Sequence, residues 1–180
     1  MTDDLKTEIY NGDNFIMSIH AQLIEKIIEF EGRNPHQVGH FLKVLGYAKT
    51  IGELEGLPEE TQFILETSAI MHDIGIKPSR EKYDSSAGKY QELEGPGVAQ
   101  PILKELGYTE PVIERVCYLI AHHHTYTGID GLDYQILVEA DFLVNLEKDD
   151  KTGQLTQNVY EDIFKTESGK KFLRVLYMEH

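Results

Sequence analysis

The 180-residue chain carries 17 Lys and Arg against 31 Asp and Glu, a net charge of −14, with 41% hydrophobic residues. That composition is enough for a core without staples and excludes a disordered chain, while an acidic field with no basic stripe disfavours a polynucleotide partner. One cysteine, Cys117, excludes an internal disulfide; no apolar run reaches spanning length and the acidic start lacks an apolar signal region, so the expectation is a cytoplasmic chain that does not engage a membrane.

Helical periodicity dominates in chain order. Residues 14–31 place Phe15, Ile19, Leu23, Ile27 and Phe30 on one stripe closed by Gly32. A second helix opens at Pro35 and runs to Gly56; a third follows Pro58 and stops before Lys77-Pro78. Residues 77–91, "KPSREKYDSSAGKYQ", read as a polar loop long enough to serve as a binding segment. Helices are expected at 92–106, at 110–124 with Thr109 as cap and Pro111 in the first turn, at 131–147 and at 158–178. No alternating strand pattern and no repeat appears, so the fold class is all-α, about six to seven helices in a single domain over 1–180. Its core spans 33–147, with the 14–31 and 158–178 helices packing on it.

Of eight histidines, His20 stands alone on the first helix and His180 ends the chain; both read as structural or solvated. His40 is in register with Val44 and Tyr47 and faces inward, with His36 one turn earlier. His72 and Asp73 close the third helix, and Asp141 lies between Leu137 and Val144 on a face that should be buried. A buried, unpaired carboxylate is expensive, and a metal or a charged partner resolves the cost.

The order His40, then "AIMHDIG" with His72-Asp73, then "ILVEADFLVN" with Asp141 resembles the HD superfamily of metal-dependent phosphohydrolases. "HFLKVLGYA" is similar to that family's first-histidine helix, and the resemblance spans about residues 33–147. It implies an α-helical fold and a divalent transition metal (Mn, Fe, Ni, Co or Zn; one or two ions) held by His40, His72, Asp73 and Asp141. The activity it implies is hydrolysis of a phosphate ester or anhydride by metal-activated water, with Asp73 and His123 as catalytic residues.

The run His122-His123-His124 cannot all face one point on a helix. With Val112, Val116, Leu119 and Ile120 as the buried face, His123 falls near its centre, His124 at its edge, and His122 projects toward Arg115 and Tyr118. In dinuclear members a His-His pair here serves a second metal or the scissile phosphate; His123 and His124 match it. His36 and Glu94 are the further candidates for that second site, although Glu94 stands where such members commonly have a histidine and also reads as an exposed acid near a helix start. Lys77, Arg80 and Lys89, with Lys82, supply cations for substrate phosphate in an acidic chain; a solvated loop is the rival reading for all but Lys77.

The expected partner is a small phosphorylated substrate, a nucleotide above all, and a homodimer is compatible with the sequence. Two alternatives stay open: a cyclic-dinucleotide phosphodiesterase, against which "HHHTYTGIDGLDY" lacks the Glu and the Gly-Tyr-Pro ending of that subgroup, and a non-catalytic metal- or nucleotide-binding regulator, against which the ligand set is intact.

Overall fold

The computed structural model describes residues 18–148 and 153–178. Among them are nine helices and no strand: α1 (Ile19–Glu31), α2 (Pro35–Leu54), α3 (Glu59–Met71), α4 (Ile76–Tyr83), α5 (Gly88–Glu105), α6 (Glu110–Ile120), α7 (Leu132–Lys148), α8 (Gly153–Asp162) and α9 (Glu167–Tyr177). None of these is long and apolar enough to cross a membrane.

The all-α expectation holds, and three boundaries change. The segment expected as a loop at 77–91 holds most of α4, a short non-helical link at 84–87 and the first turn of α5. Pro78 does not break it, because it falls in the first turn of α4, where a missing N–H costs nothing. Asp84, in the left-handed region at φ 49, ends that helix. The single helix expected at 158–178 is two, α8 and α9, so the count exceeds six to seven. The helix expected through residue 124 stops at Ile120, so the histidine run occupies turns. Thr109 sits at the α6 cap position without a side-chain capping bond. Residues 14–17 of the expected first helix, and His180, lie outside the described residues.

The helix α3 organises the interior. Every residue from Leu65 to Met71 is buried, so the second half of this helix has no solvent face and its chemistry reaches a ligand only at the C-terminal end. On one side Val44, Ala48 and Ile51 of α2 join Leu137, Val144 and Phe164 around Leu65 and Ala69. On the other side Leu23 and Ile27 of α1 meet Ile70, Met71, Leu103, Val116 and Ile120. The C-terminal end of α3, carrying His72 and Asp73, therefore emerges between α2, α6 and α7.

Two buried acids tie helices together. Glu139 on α7, fully buried, accepts from Gln135 Nε2, the Lys165 and Thr166 amides and the Thr166 hydroxyl, satisfying donors around the start of α9. Glu66 on α3 accepts from Lys49 Nζ at 3.0 Å and Gln62 Nε2 at 2.8 Å and faces His20 Nδ1 at 3.4 Å. Burial opposes ionisation of Glu66, but the bonds from His20, Gln62 and Lys49 outweigh it and hold its pKa down to about 2. A depressed folded-state pKa stabilises the fold above the unfolded value of about 4.3, and that stabilisation is lost as pH falls toward the folded value. Melting curves of wild type and Glu66→Gln should therefore differ most near neutral pH and converge between about pH 4 and pH 2.

Candidate metal centre

Pro35 at the first position and Asn34 as cap, its Oδ1 accepting from the Gln37 amide at 3.3 Å, fix the start of α2. One turn on, His40 is 4% exposed and points at the end of α3. His72 has no exposed surface, and Asp73 and Asp141 are both buried. Four side chains from three helices thus meet in one place. His40 Nε2 lies 3.1 Å from His72 Nε2, 3.2 Å from Asp73 Oδ2 and 3.2 Å from Asp141 Oδ1. His72 Nε2 lies 3.6 Å from Asp73 Oδ2 and 3.5 Å from Asp141 Oδ1.

These separations fit a shared cation. Nitrogen and oxygen ligands about 2.1 Å from one ion lie about 3.0 to 3.4 Å apart in tetrahedral or octahedral order. The tautomers agree: His72 Nδ1 donates to the Ala69 carbonyl at 3.0 Å, which leaves its Nε2 lone pair facing the cluster. A bare imidazole nitrogen facing two carboxylates and another imidazole nitrogen needs a positive charge between them. A divalent cation or protons on the histidines would supply it. Burial works against protonation of both histidines, yet bonds to Asp141 and Asp73 raise His40 to about 9, and the charge of Asp73 and the bond to Asp141 raise His72. Asp73 and Asp141 are held well below the usual carboxylate range despite burial, Asp73 chiefly by the charge of His72 and Asp141 chiefly by its bond to His40. Two protons and one divalent cation carry the same charge, so exchange leaves the buried site neutral.

Asp73 also faces a second group. Its Oδ1 lies 3.3 Å from His123 Nε2 and 3.9 Å from His124 Nε2, and the three residues could hold an ion. His123 Nδ1 donates to the Ile120 carbonyl at 2.8 Å, aiming Nε2 inward as in His72. His124 is held by the α5 start: Gln91 Nε2 donates to Ser86 O at 2.7 Å, so its Oε1 faces His124 Nε2 at 3.2 Å. Burial and the charge of His123 push His124 down to about 4, so at neutral pH it is a neutral ring whose Nε2–H donates to Gln91 Oε1. His122 is elsewhere, stacked on Tyr118 at 4.2 Å with Nδ1 bonded to the Tyr118 carbonyl at 2.7 Å. The turn is pinned by Tyr134, whose hydroxyl reaches the His122 and Thr125 carbonyls, and by Glu92, which accepts from the His124 amide and the Thr125 hydroxyl.

Two glycines make this packing possible. A Cβ on Gly75 would meet the Gln91 carbonyl oxygen at 2.3 Å, and one on Gly88 would meet the His124 ring at 2.8 Å. Backbone cannot swing aside as a side chain can. We expect Gly75→Ala to separate α5 from the end of α3, costing about 1 to 3 kcal/mol in chemical denaturation and displacing Gln91 from His124.

Several expected site residues are not in the cluster. His36 is exposed; its neighbour Gln37 is buried instead and donates from Nε2 to Asp73 Oδ2 at 3.1 Å. Helical spacing could have found it, since Gln37 lies three residues before His40 on the same face. Glu94 is paired with Lys82 Nζ and accepts from Tyr83 Oη at 2.8 Å, so neither it nor Lys82 is available to a second ion or a phosphate as placed. Lys77 Nζ donates to the Phe30 carbonyl at 2.8 Å and lies over the Phe30 ring. Arg80 and Lys89 are both exposed, and the Lys89 ammonium lies over the Tyr90 ring. The cations expected to serve one phosphate are thus dispersed along α4 and the start of α5.

No curated protein matches the chain. A solved structure from an uncultured Thermotogales bacterium, described as a predicted HD superfamily hydrolase, superposes with a TM-score of 0.61 at 21% identity, covering 88% of this chain and 83% of that one. At that identity the likeness shows the fold. The family model for the HD domain matches residues 38–153, a span that contains His40, His72, Asp73, His123, His124 and Asp141. On that match, over more than half of its length, the chain belongs to the HD domain family.

Proposed function

We propose that this protein is a metal-dependent phosphohydrolase acting on a phosphate ester or anhydride of a nucleotide or similar small metabolite, with His40, His72, Asp73 and Asp141 as metal ligands. The observation that carries the reading is that the Nε2 atoms of His40 and His72 lie 3.1 Å from each other and 3.2 to 3.6 Å from the carboxylate oxygens of Asp73 and Asp141, with the His72 tautomer fixed by the Ala69 carbonyl. The HD superfamily hydrolase naming of the superposed structure supports it by analogy. A bound divalent cation would offset charge on the phosphoryl oxygens and acidify a water beside them.

The protein's own groups supply the rest. Asp73 divides its work: Oδ2 faces His40 and His72, and Oδ1 faces His123, leaving Oδ1 to orient a water toward phosphorus. Gln37 keeps the Asp73 carboxylate from rotating by donating to Oδ2. His123 presents Nε2 to the same space and is placed to give a proton to the leaving oxygen. His124, neutral at working pH, contributes a hydrogen bond; where Asp73, His123 and His124 instead hold a second ion, His123 Nε2 is its ligand and not the acid.

A hydrolysis screen with Mn2+, Fe2+, Ni2+, Co2+ or Zn2+ added to chelator-treated protein tests this. Mononucleotides, deoxynucleoside triphosphates, cyclic dinucleotides and bis(p-nitrophenyl) phosphate form the panel. Turnover of any of them that needs added metal supports the reading. Turnover confined to cyclic dinucleotides would move it to the phosphodiesterase alternative, and none with any metal would leave the regulator.

A further inference from the structure

A phosphate at the metal centre would stand among carboxylates, and most donors around it are already committed. Gln37 Nε2 is bonded to Asp73 and His124 Nε2 to Gln91. Lys77 is held by the Phe30 carbonyl and Lys82 by Glu94. Two tyrosine hydroxyls are spent as well: Tyr134 reaches the His122 and Thr125 carbonyls, and Tyr83 donates to Glu94. Tyr126 differs, because its hydroxyl has no hydrogen-bond partner among the described residues.

Tyr126 follows the histidine run, and its surroundings brace it beside the centre. Thr125, between it and His124, donates from its hydroxyl to Glu92 Oε1 at 3.0 Å and accepts on its carbonyl from Tyr134. The Tyr126 ring packs against Phe142, the residue after Asp141, with centroids 5.1 Å apart and planes at 61°. The turn thus fixes it from the His124 side and α7 from the Asp141 side. It is 41% exposed. The His124 and Asp73 side chains keep 24% and 11% of their surface, so solvent reaches the centre on the His124 side, where Tyr126 stands. Burial raises the Tyr126 hydroxyl to about 12, and the charges of Asp141, Glu92 and Asp73 add to that rise. Both centre carboxylates are therefore within electrostatic reach of a hydroxyl that keeps its proton.

We propose that Tyr126 is a substrate-binding residue whose hydroxyl donates a hydrogen bond to a non-bridging oxygen of the phosphate at the metal centre, the task expected of the lysines of α4. This rests on the phosphohydrolase reading and adds a residue to the same site. Phosphate oxygens only accept, so a protonated hydroxyl suits them, and bonds from neutral donors to a charged acceptor are among the stronger ones. An ammonium in the same place would pair with Asp73, Asp141 or Glu92 and compete with a cation for the carboxylates. A phenol carries no charge and leaves them to the metal. Its partial exposure lets the phosphate enter, and its packing on Phe142 holds the ring in place before the substrate arrives.

Calorimetric titration of inorganic phosphate into protein loaded with Mn2+ and dialysed free of excess ion tests this. Wild type should bind phosphate, and Tyr126→Phe, which keeps the ring and its packing, should weaken binding about ten- to a hundredfold. Tyr126→Leu should lose as much as Tyr126→Phe, since the hydroxyl is what both lack. Bound Mn2+ and the melting temperature should be unchanged in Tyr126→Phe. Absence of phosphate binding in wild type, wild-type affinity in Tyr126→Phe, or a loss accompanied by loss of Mn2+ would overturn the proposal. A loss confined to Tyr126→Leu would also overturn it, because the ring and not the hydroxyl would then be the contact. Turnover of bis(p-nitrophenyl) phosphate by the same wild-type preparation reads the hydrolase reading separately: phosphate binding that depends on the Tyr126 hydroxyl without any turnover would sink that reading and leave the contact.

Discussion

His72→Ala should abolish stoichiometric metal loading, and His122→Ala, whose ring stacks on Tyr118, should leave it intact. His72 has no exposed surface and its Nε2 lies within 3.6 Å of donor atoms on His40, Asp73 and Asp141. Deleting it removes one of the four proposed ligands and the nitrogen whose tautomer the Ala69 carbonyl fixes. Losing an outer-shell partner alone weakens metal binding about 10- to 100-fold, so losing the ligand should exceed that. His122, stacked on Tyr118 and bonded to its carbonyl, touches neither group. Metal analysis after dialysis gives the comparison, and a thermal melt of each chelator-treated variant separates lost ligation from lost folding. His72→Gln, which keeps much of the volume, serves if the alanine variant unfolds.

Asp73→Asn has the second large expected effect: a loss in kcat of about a thousandfold or more with the fold retained. The amide is nearly isosteric, so packing survives. It removes the charge that faces His40 and His72 through Oδ2 and His123 through Oδ1. It also turns one oxygen position into a donor, which at Oδ2 would face the Gln37 amide, itself a donor. Gln37→Ala should be milder, because it frees the carboxylate to rotate without removing its charge. Steady-state kinetics of the three proteins at saturating metal distinguish a ligand from a group that only positions it.

The sequence carried the ligand chemistry better than its surroundings. His40, His72, Asp73 and Asp141 were legible because each is a charged or ligating residue in an apolar register, a pattern that local periodicity reveals. His123 was legible for the same reason, although the helix used to orient it ends at Ile120; the turn preserved the inward direction because Nδ1 found the Ile120 carbonyl. Gln37 escaped because glutamine is not a typical ligand and its role appears only when Asp73 is seen 3.1 Å away. The misassignment of 77–91 had one cause: Pro78 reads as a breaker, yet three residues into a new helix it is neutral. Treating that stretch as a loop left its cations free to be aimed at phosphate, whereas on α4 Lys82 faces Glu94 and Lys77 faces the end of α1.

The most direct test of the central claim is metal-dependent hydrolysis of bis(p-nitrophenyl) phosphate by chelator-stripped protein. Turnover should vanish on stripping, return on adding Mn2+ or another divalent transition metal to wild type and to His122→Ala, and fail to return in His72→Ala. Turnover that survives chelation, or that returns equally in His72→Ala, would contradict a catalytic metal held by these four residues.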